Sequence, residues 1–183
     1  MKSVLKIFVL FLFPVFATAQ YEKNYEDSLL SALKNAANDT ISMDINRKLG
    51  FYHQDSDRDT ALVYHQVQLA LAEKLKLKLW EADACQQIAY CYSNKFRLSE
   101  AYENYMKALR IAEDPASAAN GWGYSNFSYS KNPDEARQSI MGIIHFELAG
   151  FYTRTRDKKN KAFSHLSTAI EIGERLNNRK ILS

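Results

Sequence analysis

The chain is poor in the residues and motifs that mark catalytic sites. Its six glycines form neither a Gly-rich phosphate loop nor a Gly-x-Ser-x-Gly turn around a nucleophile. Its four histidines show no His-Glu-x-x-His metal spacing, and they are His53, His65, His145 and His165. The sequence therefore predicts no enzymatic activity, no cofactor and no metal site. An enzyme whose carboxylates or cysteines meet across helices stays open as an alternative.

Cysteine is scarce as well. Cys85 and Cys91 are the only two, and they lie six residues apart on one predicted helix. Six residues rise about 9 Å along a helix, which is too far for a disulfide. Two cysteines that cannot bond to each other raise the alternative of a redox or metal site. Free cysteine is nevertheless a common small core residue, and core packing is the preferred interpretation.

The chain also lacks an excess of charge of one sign. It has 24 Lys and Arg against 21 Asp and Glu, which gives a formal net charge of +3. Two of the lysines, Lys2 and Lys6, lie in an N-terminal segment that we expect to be removed. A nearly neutral chain gives no support for nucleic acid or an anionic membrane surface as a partner.

The longest apolar run lies near the N-terminus. Residues 7–16 are apolar, follow a positively charged end and precede a small-x-small cleavage pattern at 17–19. This run is too short to span a bilayer comfortably, so residues 1–19 are interpreted as a secretory signal peptide cleaved before Gln20. An uncleaved membrane anchor is the alternative. Export would place a mature chain without a transmembrane helix in the periplasm or outside the cell, and the few cysteines favour a bacterial source.

Three alternating carboxylates, at Asp55, Asp57 and Asp59, resemble the opening of a calcium loop. A loop of the EF-hand type needs Gly at its sixth position and a bidentate Glu at its twelfth. Those positions hold Thr60 and Gln66. The segment is therefore interpreted as an exposed turn between helices, with Asp59 as the N-cap of the second one.

One sequence pattern occurs three times. Each copy is anchored on an alanine, and the anchors are Ala61, Ala101 and Ala162. Eight residues after each anchor stand an aliphatic residue, any residue, an aliphatic residue, a small residue and Glu, in segments 69–73, 109–113 and 170–174. A tyrosine precedes each anchor by nine or ten residues, and an N-cap residue precedes it by two; these are Tyr52, Tyr92, Tyr152, Asp59, Ser99 and Asn160.

Apolar residues around the anchors recur three and four apart, which indicates helices. The pattern therefore predicts three copies of one helix–turn–helix unit, with anchors 40 and then 61 residues apart. One such unit leaves an apolar face uncovered, so each needs a neighbour of the same kind.

The repeated unit resembles the tetratricopeptide repeat. The central copy matches that pattern at Ile88, Ala89, Tyr92, Ala101, Tyr105 and Ala108. The third copy matches at Leu148, Ala149, Tyr152, Ala162 and Ala169. The first copy departs from it, with His65 at the aromatic position and Gln68 at the small one. The spacing of 40 residues is similar to that of the longer variety of this repeat.

The resemblance implies an all-α fold, namely a right-handed superhelical array of antiparallel helix hairpins with about three repeats. These repeats would cover about 41–78, 79–114 and 133–176, within an array over 40–183. Residues 20–39 would form an N-terminal capping helix. The sequence Asn132-Pro133-Asp134-Glu135 combines an N-cap, a first-turn proline and a capping Glu, and predicts a helix from there to about Arg154.

The segment 115–132 is an insertion between the second and third repeats. It carries four aromatic residues: Trp122, Tyr124, Phe127 and Tyr129. The preferred interpretation is a loop that folds back over the seam between repeats. A loop that presents these aromatics to a protein partner is the alternative.

The resemblance also implies a concave groove that binds an extended peptide or a helix. The positions that would line it are Asn46, His53, Asp83, Gln86, Tyr90, Asn94, Phe146, Thr153 and Arg154. Some members of the family clamp a C-terminal carboxylate with Lys and Asn. This chain has Gln86 and Tyr90 at those places in its central repeat, so that clamp is not expected.

These features predict an exported scaffold that binds a protein or peptide partner. The alternative is the sensor part of a larger bacterial signalling protein, followed by a membrane anchor and a histidine kinase or a transcription regulator. That alternative rests on residues 181–183, which follow a polar break at 177–180 and resemble the start of another helix.

Overall fold

The computed structural model describes residues 23–127, 130–155, 159–178 and 181, and the regular structure in these ranges is helical throughout. It contains α1 (residues 23–34), α2 (Asp39–His53), α3 (Arg58–Leu75), α4 (Lys78–Asn94), α5 (Leu98–Glu113), α6 (Pro133–Arg154) and α7 (Lys159–Leu176). Two short 3-10 turns, Pro115–Ala118 and Tyr124–Asn126, lie between α5 and α6. The predicted all-α class is confirmed for these ranges. The signal peptide predicted at 1–19 lies outside them.

Helices that follow one another in the chain pack side by side. α2 pairs with α3, α4 with α5, and α6 with α7, and we call these pairs hairpins 1, 2 and 3. α3 packs on α4 and α5 packs on α6, so the hairpins are joined in series. α4 also contacts α6 directly, and this contact positions the candidate site. None of the helices in the described ranges is long and apolar enough to cross a membrane.

Small residues are buried on the second helix of each hairpin. The predicted anchors are all buried: Ala61, Ala101 and Ala162. A larger side chain at these places would overpack the core, because protein interiors leave little spare volume. One continuous core then runs through the three hairpins, with Trp80 and Tyr105 among its largest fully buried side chains.

The start of α6 agrees with the sequence prediction. The side chain of Asn132 accepts a hydrogen bond from the Glu135 N–H at 2.9 Å, and Pro133 is the first helical residue. The Glu135 carboxylate turns back and accepts from the Lys131 N–H at 2.9 Å. Both interactions satisfy N–H groups near the helix start, and α6 ends at Arg154 as expected.

The N-cap of α3 is Asp57, and the predicted cap at Asp59 is wrong. The Asp57 carboxylate accepts hydrogen bonds from the N–H groups of Asp59 and Thr60 at 3.2 and 3.1 Å. It also accepts one from the Thr60 hydroxyl at 2.7 Å. The unpaired donors of the first turn are therefore satisfied before the chain reaches Asp59.

The predicted N-caps Ser99 and Asn160 are wrong as well. The Arg97 N–H closes the end of α4 by donating to the Tyr92 carbonyl at 3.0 Å, and α5 begins at the next residue, one before Ser99. Phe96 takes a left-handed backbone conformation (φ 58°) in that turn, which ends one helix and lets the next start at once. Asn160 lies inside α7.

Candidate functional site

Three of the predicted groove residues lie together where α4 faces α6. Arg154 donates from Nη1 to Asn94 Oδ1 at 3.2 Å and to Ser93 Oγ at 3.1 Å. Asn94 in turn donates from Nδ2 to the backbone carbonyl of Tyr90 at 3.0 Å. These bonds tie the C-terminal turns of α4 and α6 to each other.

A buried tyrosine of α5 adds a carboxylate to this group. Tyr105 is buried, and its hydroxyl lies 3.5 Å from Oε2 of Glu147 on α6. Burial first and the Glu147 charge next raise the pKa of Tyr105, while Arg154 lowers it. The Tyr105 hydroxyl therefore stays protonated at neutral pH and lies in the field of both charged residues.

Gly150 lies between these two charges on α6. Glu147, Gly150 and Arg154 are three and four residues apart, which is the spacing of one helix face. A Cβ added at Gly150 would meet no atom of residues 23–127, 130–155, 159–178 or 181 within 4 Å. We call the surface formed by Tyr90, Asn94, Glu147, Gly150 and Arg154 the Tyr90 patch.

The open space at Gly150 has no explanation in the packing of the described residues. Glycine inside a helix costs roughly 0.5–1 kcal/mol relative to alanine. At Gly50 that cost has a structural reason, because a Cβ would lie 2.4 Å from the imidazole of His65. At Gly142 a Cβ would lie 2.7 Å from Ile181. Gly150 alone among these helical glycines leaves bare backbone facing open space.

The charges around Tyr90 alternate in sign. Burial raises the pKa of Tyr90, Asp55 and Glu147 raise it further, and Arg58 lowers it. The Tyr90 ring therefore lies near two pairs of opposite charges. One pair, Asp55 and Arg58, is near the α2–α3 turn, and the other is Glu147 and Arg154 of α6. Such a surface can pair with a partner that carries both kinds of charge, whereas it gives no preference to a polyanion.

Two buried polar atoms near the Tyr90 patch have no hydrogen-bond partner among the described residues. One is Nε of Arg58, and the other is Oε1 of Gln87, which is one helical turn before Tyr90 on α4. Buried polar atoms are nearly always hydrogen-bonded in folded proteins. Both atoms are therefore exceptions to that rule, and neither is exposed at the surface.

Asp83 belongs to a polar network in the seam between hairpins 1 and 2. Arg47 donates from Nε and Nη2 to its two carboxylate oxygens at 2.7 and 3.3 Å. Gln68 donates from Nε2 to Asp83 Oδ2 at 2.8 Å, and Gln68 Oε1 lies 3.1 Å from Nδ1 of His65. Since Oε1 can only accept, Nδ1 of His65 carries the proton. Burial lowers the pKa of His65, which therefore stays neutral.

This network explains why the first copy departs from the repeat pattern. His65 and Gln68 stand where an aromatic and a small residue are expected, and together they connect Asp83 to α3. Nε2 of His65 has no partner in the described part of the chain and lies against Gly50. The predicted groove residue Asp83 is thus engaged within the protein and lies apart from the Tyr90 patch.

The remaining predicted groove residues have other contacts or are exposed. Asn46 is buried and donates to the Ser42 carbonyl at 2.8 Å, and Gln86 is buried and accepts from Gln87 at 2.6 Å. Nε2 of His53 lies 3.1 Å from Oε1 of Glu26, and the imidazole stacks on Tyr64, so it faces α1 and α3. Phe146 is exposed, and so is Thr153.

The insertion after α5 folds back onto hairpins 1 and 2. Trp80 donates from Nε1 to the Trp122 carbonyl at 2.9 Å, and its ring meets that of Phe127 edge-on at 4.9 Å. Gly123 has a positive φ of 64° and lies against the Trp80 indole, two conditions that favour glycine. Phe127 is buried, while Trp122 is 41% exposed. The Tyr124 hydroxyl donates to the Lys131 carbonyl at 3.2 Å, and Tyr129 lies outside the described residues.

The cysteines are free and buried. Burial raises the pKa of Cys85 and of Cys91 to about 11 in each case, so both remain thiols at neutral pH. Within the described ranges no group of three or more His, Cys, Asp or Glu side chains is arranged to hold a metal ion.

Tyr90, Asn94 and Arg154 of the Tyr90 patch are among the groove positions predicted from the sequence, whereas Glu147 and Gly150 are not. The spacing of Glu147 and Gly150 is nevertheless visible in the sequence, because both lie on the helix face of Arg154, seven and four residues before it.

Comparison of the chain with protein-family models, with curated proteins and with solved structures gives no match.

Proposed function

We propose that the chain is an exported scaffold of the tetratricopeptide-repeat type that binds a segment of another protein on the Tyr90 patch. The observation that carries this proposal is Gly150. A helix keeps a destabilising glycine there although no side chain in the described part of the chain needs the space. A partner backbone that binds against α6 between Glu147 and Arg154 would occupy this space and account for the glycine.

Two features support a right-handed superhelical repeat array as the scaffold. The anchors Ala61, Ala101 and Ala162 are buried at equivalent places in three hairpins. In addition, α3 and α7 end in the same kind of turn, fifteen residues after their respective anchors. Lys76 (φ 56°) and Asn177 (φ 49°) have a left-handed backbone conformation. The N–H of Leu77 donates to the Ala72 carbonyl at 3.0 Å, and the N–H of Asn178 donates to the Gly173 carbonyl at 2.8 Å.

The chemistry of the Tyr90 patch favours an extended peptide segment with charges of both signs. Arg154 and Arg58 can bind carboxylates, and Glu147 and Asp55 can bind basic side chains. The Tyr90 ring offers an apolar face with a polar end, which suits a contact that is partly exposed to water. The bare α6 backbone at Gly150 admits close approach of a second main chain.

The proposal is tested with a random peptide library displayed on phage and selected against the chain that begins at Gln20. Every described element lies in residues 23–181, so removal of residues 1–19 leaves all described packing in place. We expect selected peptides to carry both acidic and basic residues. Arg154→Ala and Glu147→Ala should each weaken their binding about tenfold, the usual loss for a strong charged contact.

The control is Val63→Ala, at an exposed position on α3. It should leave peptide binding unchanged. Failure to select any peptide would contradict the proposal, and so would peptides whose binding is insensitive to Arg154→Ala and Glu147→Ala. Circular dichroism of each variant separates loss of binding from loss of folding.

A further inference from the structure

An apolar stripe on α7 has no cover among the described residues. Phe163, Leu166 and Ile170 are 68%, 36% and 41% exposed. They are three and four residues apart and therefore lie on one face of the helix. Large apolar side chains in such a row mark an interaction surface, whereas single exposed ones need no explanation.

The equivalent positions in hairpins 1 and 2 contact the following helix, and of these Tyr102, the counterpart of Phe163 in hairpin 2, is itself 40% exposed while its ring stacks on Phe151 of α6. Leu62 of α3, which corresponds to Phe163, packs with Ile88 and Cys91 of α4. Tyr105 of α5, which corresponds to Leu166, meets Phe151 of α6 at a ring distance of 6.0 Å. In both hairpins this face of the second helix receives another helix. The face of α7 is therefore shaped to receive one too.

The charges at the two ends of the stripe indicate which helix it receives. Lys159 and Glu174 are exposed and continue the same face, four residues before Phe163 and four residues after Ile170. The stripe thus begins with a positive charge and ends with a negative one. A second copy of the stripe in the antiparallel orientation is therefore complementary to the first in charge.

We propose that α7 pairs antiparallel with α7 of a second copy of the chain, about a twofold axis between Leu166 and Ser167. In this register Phe163 of one copy lies over Ile170 of the other. Lys159 lies opposite Glu174, and the two ion pairs are equivalent by symmetry, as a twofold interface requires. The proposal is independent of the Tyr90 patch, because the two surfaces share no residue.

The expected dimer is weak and reversible. One pair of helices with three apolar residues in each copy falls at the small end of specific interfaces, below about 1,200 Å² in total. We therefore expect a dissociation constant of about 10–100 μM. Sedimentation equilibrium of the chain that begins at Gln20, measured across that range of concentrations, should show exchange between monomer and dimer.

Two sets of variants test the register. Leu166→Glu places two carboxylates beside the twofold axis and should weaken the dimer at least about tenfold. Lys159→Glu sets Glu against Glu174 in both symmetric pairs and should weaken it about fivefold to tenfold. The double variant Lys159→Glu with Glu174→Lys restores both pairs and should return the dissociation constant to within about twofold of the original.

The matched control is Val63→Glu, which introduces the same charge at an exposed apolar position of α3 and should leave the dimer unchanged. Rescue by the double charge exchange cannot arise from a folding defect in the single variant. A chain that remains a monomer up to about 1 mM, ten times the weakest expected constant, would overturn the proposal. So would a dimer that is indifferent to Leu166→Glu, or a longer gene product whose next helix covers Phe163 in a monomer.

Discussion

Gly50 lies directly beneath the imidazole of His65, and a Cβ at this position would lie 2.4 Å from the ring carbon Cε1. His65 cannot move away easily, because its Nδ1 is bonded to Gln68 and its ring meets Phe51 edge-on at 5.6 Å. Gly150 stands at the equivalent place in hairpin 3, two residues before the shared tyrosine, but faces open space. The two glycines therefore form a matched pair for mutation.

Gly50→Ala should destabilise the protein by about 1–3 kcal/mol, since the added methyl overpacks a filled site. Gly150→Ala should stabilise it by about 0.5–1 kcal/mol, since alanine is the better helix former and meets no neighbour. Urea unfolding followed by circular dichroism measures both changes. A destabilising Gly150→Ala would show that the space at Gly150 is required by the fold and would remove the main support for a partner there.

The ion pair between Arg47 and Asp83 should matter more than any exposed pair. Asp83→Ala leaves the largely buried Arg47 guanidinium without its carboxylate and Gln68 without its acceptor, so we expect a loss of about 3–5 kcal/mol of unfolding free energy. Glu73→Ala removes the partner of Lys107 in an exposed pair of similar length, 2.8 Å, and should cost less than about 1 kcal/mol. Equal losses in urea unfolding would contradict the assignment of Asp83 to the seam.

The histidine pair between α6 and α7 should make stability depend on pH. Nδ1 of His145 lies 2.8 Å from Nδ1 of His165. Burial above all, and then the His165 charge, lower the pKa of His145 to about 4, and burial, followed by Lys161, lowers that of His165. In the unfolded chain both would titrate near their ordinary pKa of 6.5.

Since the folded pKa values are lowered, the unfolded state binds more protons than the native state between pH 6.5 and about 4. Stability should therefore be full above pH 7 and decrease as the pH falls, by roughly 1.4 kcal/mol per pH unit for each histidine that stays neutral. Unfolding free energies measured from pH 7.5 to 4.5 test this. His145→Gln should flatten the slope, and an unchanged slope in that variant would refute the role of the pair.

The loop that covers Trp80 should depend on Phe127 more than on Trp122. Phe127 is buried, so Phe127→Ala should cost about 3–5 kcal/mol. Trp122 is partly exposed and bonds to Trp80 through its backbone carbonyl, so Trp122→Ala should cost no more than about 1.5 kcal/mol. Thermal unfolding ranks the two variants. The reverse order would mean that the loop is held by Trp122 and that the packing of Phe127 is incidental.

Local signals in the sequence were sufficient for part of the fold. The cap at Asn132 and Glu135 and the buried anchor at Ala101 depend on residues within a few positions, and the structure agrees with the sequence at both. The cap predicted at Ser99 was wrong because the start of α5 is fixed by how α4 ends at Phe96 and Arg97, a backbone turn that side-chain identity alone does not reveal.

Contacts between distant residues could not be predicted from one sequence. Asp83 has the helical register of a groove residue, but its partner Arg47 lies 36 positions away and draws it into the seam. The carbonyl of Trp122 is bonded by Trp80 across 42 positions. Neither pairing produces a local pattern, whereas the common helix face of Glu147, Gly150 and Arg154 does.

The most direct test of the Tyr90 patch is the affinity of a selected peptide for Gly150→Gln. Glutamine is a good helix former, so the variant should fold at least as stably as the original chain. Its side chain would occupy the space between Glu147 and Arg154 and should weaken peptide binding more than about tenfold, while Val63→Gln on α3 leaves it unchanged. Unchanged affinity in the folded Gly150→Gln variant would contradict binding at this surface.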